Sequence, residues 1–469
     1  MSVRYGILIH LDEYRRDAAV LFALRRLLMD AGCEVVLSTR RTTPLWLRQR
    51  SFDAIVVPSL EHIPYDWIPE LSVRSKIYML PTEGALFDEW PLLVKYGGGH
   101  ESERWERHIQ ATARFFLWGE YSRSILRATG RFRDDQLIVV GAQRMDFFLA
   151  EPSPSESQAF DCSSIGAISN FLLLNTYLPG HVFQTVDRGR TGHGYYYARS
   201  REFEDRYWIE SAWVRVWLEL LDECKRRGES IQLRIHPRED LGAYGYLQTK
   251  YGSTLQLAGQ ELPFEVWMDR LGVLLSYNST ALFEAAAAEK PAFSLEGLVG
   301  DRLAEHIDGF PMAHYPIMDH LEAPRSFDAL FDLIGQVRDG RWTGQAGYRP
   351  ELRALLKDVC HFPRRSSTLA TITQTIISDL DAAPATTRRS SRAATMAGKV
   401  KSRALETATF AIRRDRVISS WFPLVSARLE RALAQEIARY LRAAARFPAG
   451  GQEAEAVAEV LPVSPCADL

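Results

Sequence analysis

The chain has 469 residues, which is too long for one ordinary domain, so we expect two domains with an appendage. Hydrophobic residues make up 46% of the chain and charged residues 25%, which is typical of a soluble globular protein with ample core. The formal net charge of -2 gives no general reason to expect nucleic acid as a partner.

The five cysteines are scattered and have no CxxC spacing, so we expect neither a disulfide framework nor a zinc site. The N-terminal apolar run is shorter than that of a signal peptide, and no apolar run is long enough to span a bilayer. These features predict a cytoplasmic protein.

The first domain is predicted over residues 1–150, where short apolar strands alternate with amphipathic helices. The segment RYGILIHL predicts a strand, and DAAVLFALRRLLMDAG predicts a helix that ends at Gly32. Further strands are predicted at CEVVLST, FDAIVVPS, SKIYMLPTEG, ARFFLWG and QLIVVGA. Such alternation is typical of a parallel sheet that is covered on both faces.

A second domain of the same kind is predicted over residues 162–375, after a linker at 150–161 that is rich in Pro, Ser and acidic residues. Its strands are predicted at ISNFLLLNT, SIQLRIHP, LGVLLSYNS and AFSL. Its helices are predicted at YWIESAWVRVWLELLDECKRRG and TALFEAAAAEKP. The sequence therefore predicts an α/β fold in which two Rossmann-like domains face a cleft.

The tail at 384–469 begins with a small, hydroxylated and basic segment, which predicts a flexible tether. The segment VISSWFPLVSARLERALAQEIARYLRAAARF then predicts a helix with arginines among its apolar positions. This helix either packs on the body or on another subunit, or it lies on the anionic inner membrane surface as a basic amphipathic helix.

Candidate site residues follow the strands, because ligands of open parallel sheets bind beyond the carboxyl ends of the strands. His236 ends a strand and Pro237 restricts its backbone, so we expect the imidazole to face the cleft. There it can donate a hydrogen bond to a phosphate oxygen, and Arg234 or Arg238 can add positive charge.

The next strand leads into a helix through Asn278, Ser279 and Thr280, whose hydroxyls and free amides can hold an anion. The same residue types are also ordinary helix caps. Glu284 lies one turn further along the helix, where its carboxylate can accept hydrogen bonds from ribose hydroxyls. Together with His236, these residues predict a nucleotide site in the second domain.

The first domain offers an acid in the turn that ends SKIYMLPTEG. Glu83 lies in this turn beside Gly84, which gives the backbone conformational freedom. A carboxylate across the cleft from an activated sugar can take a proton from an acceptor hydroxyl, so Glu83 is the candidate general base. The alternative is a solvated loop glutamate.

These motifs resemble those of bacterial surface-carbohydrate glycosyltransferases that use CMP-activated acidic sugars, such as sialyl-, polysialyl- and Kdo-transferases. The matching residues, in the family's order, are Thr82-Glu83-Gly84, His236-Pro237 and Ser279-Thr280. The resemblance spans residues 5–300. It implies a GT-B fold, a general base from the acidic motif, and a CMP phosphate site from the other two motifs.

The chain departs from this family in two places. Thr82 stands where the family has an acid, and GAQRMD lacks the family's Asn-Pro while it keeps Gly141, Arg144 and Asp146. Asn175 lies in FLLLNTYLPG, which is similar to another segment of the family. The additional cleft residues are therefore Gly84, Arg144, Asp146, Asn175, Arg234 and Arg238.

The resemblance implies transfer of a sugar from a CMP-activated donor to a glycan or glycolipid acceptor of a bacterial surface polysaccharide, without a cofactor. The alternative enzyme transfers glycerol phosphate from CDP-glycerol, since polymerases of that class also use a His-Pro pair in a similar fold. The alternative from another class is a non-catalytic scaffold with a degenerate transferase fold. His306, His314 and His320 lack metal-ligand spacing, so no metal site is predicted.

Overall fold

The computed structural model describes residues 3–12, 14–40, 42–63, 67–84, 96, 102–149, 164–171, 174–175, 200–236, 239–258, 264–277, 279–303, 316–343, 350–362, 365–383 and 427–447. Within these ranges the chain forms two parallel β-sheets, and helices connect their strands. This is the predicted α/β fold with two Rossmann-like sheets.

The first sheet has six parallel strands in the order β2-β1-β3-β4-β5-β6. Every residue of β1 and β3 is buried, as expected for strands that are covered on both faces. The strands are β1 Gly6–His10, β2 Glu34–Ser38, β3 Ala54–Val57, β4 Lys76–Met79, β5 Thr112–Leu117 and β6 Leu137–Val139. The helices are α1 Tyr14–Asp30, α2 Thr43–Gln49, α3 Ile68–Arg74, α4 Ser102–Ala111 and α5 Glu120–Ala128, with 3₁₀ turns at Leu60–His62, Asp134–Gln136 and Gln143–Leu149.

The second sheet has five parallel strands in the order β11-β10-β7-β8-β9. Its strands are β7 Ile165–Ile168, β8 Ile231–Arg234, β9 Leu255–Leu257, β10 Val273–Ser276 and β11 Ala292–Ser294. The helices of this region are α6 Ser200–Arg227, α7 Tyr244–Tyr251, α8 Phe264–Asp269, α9 Ala281–Ala287, α10 Glu296–Leu303 and α11 Phe327–Arg338, with 3₁₀ turns at Leu241–Ala243, Gly252–Thr254 and Pro316–His320.

Two strands of the second sheet differ from the prediction. The first strand was expected at ISNFLLLNT, but β7 ends at Ile168, where that segment begins. Residues 169–171 lie outside the strand, and the amide of Phe171 donates to the Glu239 carboxylate at 2.9 Å rather than to a neighbouring strand. The edge strand β9, Leu255–Leu257, was not predicted.

Helix α6 anchors the second sheet through aromatic side chains. Trp213 is completely buried and stacks on Tyr277, with 4.8 Å between ring centroids. The Tyr277 hydroxyl donates to the backbone carbonyl of Trp213 at 2.8 Å, so this buried polar group is satisfied. Burial of one such large side chain stabilises the fold by about 1.5–3 kcal/mol. The contact fixes the chain directly after β10, where the candidate helix cap begins.

The last described helices return to the first sheet. They are α12 Pro350–Cys360, α13 Thr368–Asp381 and α14 Ala427–Arg446. Leu369, Ile372 and Ile376 of α13 share a buried core with α1, and Arg114 of β5 pairs with Asp379 at 2.7 Å. The second domain was predicted to extend to residue 375. The segment from Thr368 onward instead packs on the first domain, because the apolar face of α13 completes the core of that domain.

The C-terminal helix α14 also packs on the first domain. Tyr440 is fully buried, Ala443 and Ala444 are buried beside it, and the helix contacts α1. This agrees with the expectation that the helix packs on the body, and this face is not available to a membrane. Residues 384–426 and 448–469 of the predicted tail lie outside the described residues. Among the helices that the structure describes, none has the length and apolar character needed to cross a bilayer.

Candidate functional site

The candidate residues of the first domain meet around Arg16, a residue of α1. Its guanidinium donates to Glu83 Oε1 at 2.6 Å, to Thr82 Oγ1 at 2.9 Å and to Asp17 Oδ1 at 2.7 Å. Burial lowers the pKa of Arg16, but Asp17 and Glu83 raise it more, so the pKa lies well above its ordinary value. Arg16 therefore holds Glu83 as a carboxylate, and Thr82 serves as a neutral acceptor for the same group.

The turn that carries Glu83 is fixed by Trp118 and Gln143. Trp118 Nε1 donates to the Pro81 carbonyl at 3.2 Å, and Gln143 Nε2 donates to the same oxygen at 2.6 Å. A Cβ atom on Gly84 would lie 2.4 Å from Cγ of Trp118, so only glycine fits beside the indole. Gly84 therefore serves close packing in this turn.

An ion pair between Arg144 and Glu284 connects the two domains. Arg144 follows β6 of the first sheet, Glu284 lies in the first turn of α9 in the second, and their side chains approach to 2.6 Å. Both residues are buried. Burial is the largest cause that raises the pKa of Glu284 to about 7, Arg144 opposes it, and Glu265 and Glu83 raise it further.

This placement changes the role expected for Glu284. The carboxylate was predicted to accept hydrogen bonds from a ribose, whereas it lies buried against an arginine of the other domain. The helix α9 is also short, and it packs directly on the 3₁₀ segment Gln143–Leu149. Arg144, which was predicted as an additional cleft residue, thus closes the interface beside Glu83.

The C-terminal helix α14 adds further charge to this interface. Tyr440 Oη lies 3.3 Å from both Glu265 Oε1 and the carbonyl of Arg144, and Arg439 pairs with Asp269 at 3.1 Å. Burial, followed by the neighbouring Glu265, raises the pKa of Glu436 well above its ordinary value. The protonated form of this buried carboxyl is therefore favoured.

Arg234 belongs to the same interface. It ends β8, is buried, and its charge opposes the rise in the pKa of Glu436. Its backbone carbonyl accepts from the amide of Ser169, in the loop after the neighbouring strand β7. Sequence analysis placed this arginine in the cleft but missed Glu436, because a helix that lies two hundred residues further along the chain supplies it.

His236 follows β8 at the carboxyl end of the second sheet. Its amide donates to Ser169 Oγ at 3.1 Å, and its carbonyl accepts from the amide of Glu239 at 3.0 Å. The loop that carries the imidazole is therefore held from two sides. Pro237 and Arg238 lie outside the described residues.

Glu239, which sequence analysis missed, anchors this loop. Its buried carboxylate accepts from the amide of Phe171 at 2.9 Å and from the hydroxyl of Tyr244. Burial raises the pKa of Glu239 to about 7, although the hydrogen bonds from Tyr244 and Phe171 lower it. Asn175 supports the same loop, because its side-chain amide donates to the Asp240 carbonyl at 3.2 Å.

Ser279 and Thr280 precede α9 as predicted, and Ser279 acts as a cap. The amide of Ala281 donates to Ser279 Oγ at 3.2 Å, whereas the hydroxyl of Thr280 makes no capping bond. Strand β7 lies between β8 and β10, so this loop and the His236 loop are separated by about 10 Å at the same sheet edge. Asn278 lies outside the described residues.

Asp146 caps a helix and does not face a cleft. It is completely buried, and its carboxylate accepts from the amides of Thr368 at 3.0 Å and Leu369 at 3.1 Å. The hydroxyl of Ser367 donates to it as well. The carboxylate thus satisfies the first turn of α13, as side-chain acceptors at helix N-termini do. The capping role explains why an acid occupies this position, and no bound ligand is needed to explain it.

A further cluster lies at the carboxyl ends of β1 and β3. It contains His10, Asp12 and His62, whose potential ligand atoms all lie within 4.8 Å of one another. Sequence analysis weighed histidines of the second domain only and missed this group. Its members are brought together by the pairing of β1 with β3, so no local spacing could reveal them.

No protein-family model matches the chain. No curated protein matches it by sequence. Among solved structures, the wall teichoic acid polymerase TagF is similar with a TM-score of 0.48 and 10% identity, over 80% of this chain and 89% of that chain. The UDP-N-acetylglucosamine 2-epimerase from Rickettsia bellii has a TM-score of 0.46 and 10% identity, over 81% of this chain and 98% of that chain.

A third similar structure is the UDP-GlcNAc 2-epimerase of Methanocaldococcus jannaschii in complex with UDP-GlcNAc and UDP. It has a TM-score of 0.38 and 12% identity, over 62% of this chain and 83% of that chain. At these TM-scores and identities, the similarities carry no argument about the activity of this chain.

Proposed function

We propose that the chain transfers a glycosyl group from a CMP-activated donor to a glycan acceptor in the cleft between its two sheets. The supporting observation is the set of charged residues that runs from Arg16 and Glu83 in the first domain to Arg144 and Glu284 at the interface. These residues lie beyond the carboxyl ends of strands, where open parallel sheets bind their ligands.

In this proposal the second domain binds the donor nucleotide. His236 donates a hydrogen bond to the phosphate from a loop that Ser169 and Glu239 hold in place. A loop that is fixed before the ligand arrives loses less entropy on binding. Ser279 and Thr280 approach the same phosphate from the loop after β10, on the other side of β7, and Arg234 supplies positive charge behind it.

In the transfer step, Glu83 accepts the proton of the acceptor hydroxyl. The acceptor oxygen forms a bond to the anomeric carbon while the bond from that carbon to the phosphate oxygen breaks, and CMP leaves with the bonding electrons. Glu83 must exchange its contact with Arg16 for the acceptor, since a carboxylate paired with a guanidinium is a weaker base. Arg16 keeps its second contact with Asp17 during this exchange.

A non-catalytic scaffold is the second candidate. The observation that favours it is that Glu83 and Glu284 are each paired with an arginine of the protein itself. In a scaffold, the Arg16–Glu83 pair only holds the turn after β4, the Arg144–Glu284 pair only joins the two domains, and no donor enters the cleft.

The distinguishing experiment measures CMP release from CMP-Kdo and CMP-sialic acid in the presence of glycan acceptors, with CDP-glycerol as a third donor. We expect Glu83→Gln to slow release by about 10²–10⁴-fold, as for loss of a general base. Glu70→Gln, an exposed acid of the same domain, is the matched control and should leave the rate unchanged. Turnover of CDP-glycerol alone would identify the donor as CDP-glycerol and not a CMP-activated sugar. Absence of turnover with every donor would favour the scaffold.

A further inference from the structure

The cluster of His10, Asp12 and His62 lies at one edge of the first sheet. His10 is the last residue of β1, Asp12 follows two residues later, and His62 ends the 3₁₀ turn after β3. Because β1 and β3 are paired in parallel, their carboxyl ends meet. The two imidazole rings approach with 4.2 Å between their centroids.

The hydrogen bonds of His62 determine which of its nitrogens carries a proton. Nδ1 lies 3.2 Å from the backbone carbonyl of Ser59, which can only accept, so Nδ1 carries hydrogen. In the neutral ring, Nε2 is then a bare acceptor, yet it lies 3.0 Å from the carboxylate oxygen Oδ1 of Asp12. Two acceptors at this distance require a cation between them, which is either a proton or a metal ion.

The environment of His10 indicates that its ring, too, carries hydrogen on Nδ1. Its Nδ1 lies 2.7 Å from Thr43 Oγ1, which in turn lies 2.7 Å from Ser38 Oγ, and the Ser38 hydroxyl donates to the Ile9 carbonyl. Because Ser38 donates to the Ile9 carbonyl, its oxygen is free to accept from the Thr43 hydroxyl. The Thr43 oxygen then accepts a hydrogen bond from the N–H at Nδ1 of His10, and Nε2 of the neutral ring carries no hydrogen. The side chain is 1% exposed, and within the described part of the chain Nε2 has no hydrogen-bond partner.

Both histidines are thus arranged as metal-binding histidines usually are. Such residues donate their second ring N–H to a carbonyl or another acceptor, which orients the ring and directs the free nitrogen at the metal. Here the second acceptors are the Ser59 carbonyl and the Thr43 hydroxyl. Tetrahedral coordination at zinc-like bond lengths places ligand atoms about 3.3 Å apart, close to the 3.0 Å between Asp12 and His62.

We propose that His10, Asp12 and His62 bind a divalent transition-metal ion through two imidazole nitrogens and one carboxylate oxygen. Imidazole nitrogen favours ions such as Zn²⁺ or Co²⁺ over Mg²⁺ and Ca²⁺. Three protein ligands leave a coordination position open for water or a ligand. Asp12 lies 3.7 Å from Arg16, which contacts Glu83, so the ion lies on the acceptor side of the cleft.

The test titrates the purified full chain, stripped of metal with a chelator, with Co²⁺ and Zn²⁺. Visible absorption follows Co²⁺ coordination, and calorimetry follows Zn²⁺. We expect about one equivalent to bind, with His62→Gln and Asp12→Asn each weakening binding by about 100-fold or more. His320→Gln, which changes a histidine of the second domain, is the matched control and should bind like the wild type.

A second variant keeps the proposal testable where a ligand substitution prevents folding. Thr43→Val retains all three ligands but removes the acceptor for Nδ1 of His10, and we expect it to weaken the metal by about 10–100-fold. Absence of stoichiometric binding to the wild type would overturn the proposal and leave a proton between Asp12 and His62. Binding that is unchanged in both His62→Gln and Thr43→Val would also overturn it. Because these readouts do not depend on turnover, the proposed transferase activity does not affect them.

Discussion

The ion pair between Arg144 and Glu284 provides the sharpest test of the interface. The pKa of Glu284 is raised from 4.5 to about 7. At about 1.4 kcal/mol per pKa unit, this rise corresponds to a loss of about 3 kcal/mol of folding free energy between pH 4.5 and about pH 7. Because the folded chain holds this proton between pH 4.5 and about 7 and the unfolded chain does not, the contribution of Glu284 to stability falls as the pH rises through this window.

Arg144→Met removes the neighbouring charge that opposes the effect of burial most strongly, so the pKa of Glu284 should rise further. At pH 5.5 the carboxyl is largely protonated in both proteins, and the cost of the substitution should be small. At pH 8.5 the variant must bury a charge without its partner or retain a proton. We expect its free energy of unfolding to fall by about 3–5 kcal/mol there.

The assay is urea unfolding of the wild type, Arg144→Met, Glu284→Gln and the double variant at pH 5.5 and pH 8.5. The double variant should recover most of the loss at pH 8.5, because it leaves no unpaired charge. Arg74→Met, in a surface pair with 3.9 Å between its charged atoms, is the control and should change stability by less than about 0.5 kcal/mol. An equal loss at both pH values, without recovery in the double variant, would refute this reasoning.

Three further substitutions test individual contacts by urea unfolding. Asp146→Ala should cost about 2 kcal/mol, since the buried amides of Thr368 and Leu369 lose their acceptor although Ser367 still caps α13; an unchanged midpoint would contradict that role. Glu239→Gln should stabilise the chain by up to about 3 kcal/mol at pH 8 and have little effect at pH 5, because the pKa of Glu239 is raised to about 7. Gly119→Ala should cost about 1–3 kcal/mol, because its Cβ would lie 1.9 Å from the Asp358 carbonyl, whereas Gly245→Ala meets no atom within 4 Å and should be tolerated.

Much of the fold could be predicted because its signals are local. The apolar runs of β1, β8 and β10 identify buried strands, and Gly32 ends α1 with a φ of 87°, a conformation that favours glycine. The alternation of such strands with helices then implies parallel sheets. Strand β7 was misplaced because the FLLL run within ISNFLLLNT has bulkier apolar side chains than IGAI, although the amide of Phe171 donates to Glu239 and not to a neighbouring strand.

The candidate site was predicted less completely, because its partners are distant in sequence. Glu83 was found from its turn, but Arg16, which is 67 residues away, gave no local signal. Glu284 was found from its helix, but its arginine belongs to the other domain. Asp146 was predicted as a cleft residue but caps a helix. The sequence cannot separate these two roles, because an acid that follows a strand has the same local sequence context in both.

The most direct test of the proposed function is calorimetric titration of the full chain with CMP, CDP, UDP and GDP. We expect CMP to bind most tightly and His236→Ala to weaken it by about 1–3 kcal/mol, as for a lost charge-assisted hydrogen bond. His320→Ala should bind CMP like the wild type. Absence of binding by every nucleotide, or equal CMP affinity in His236→Ala, would contradict the assignment of the cleft as a CMP-donor site.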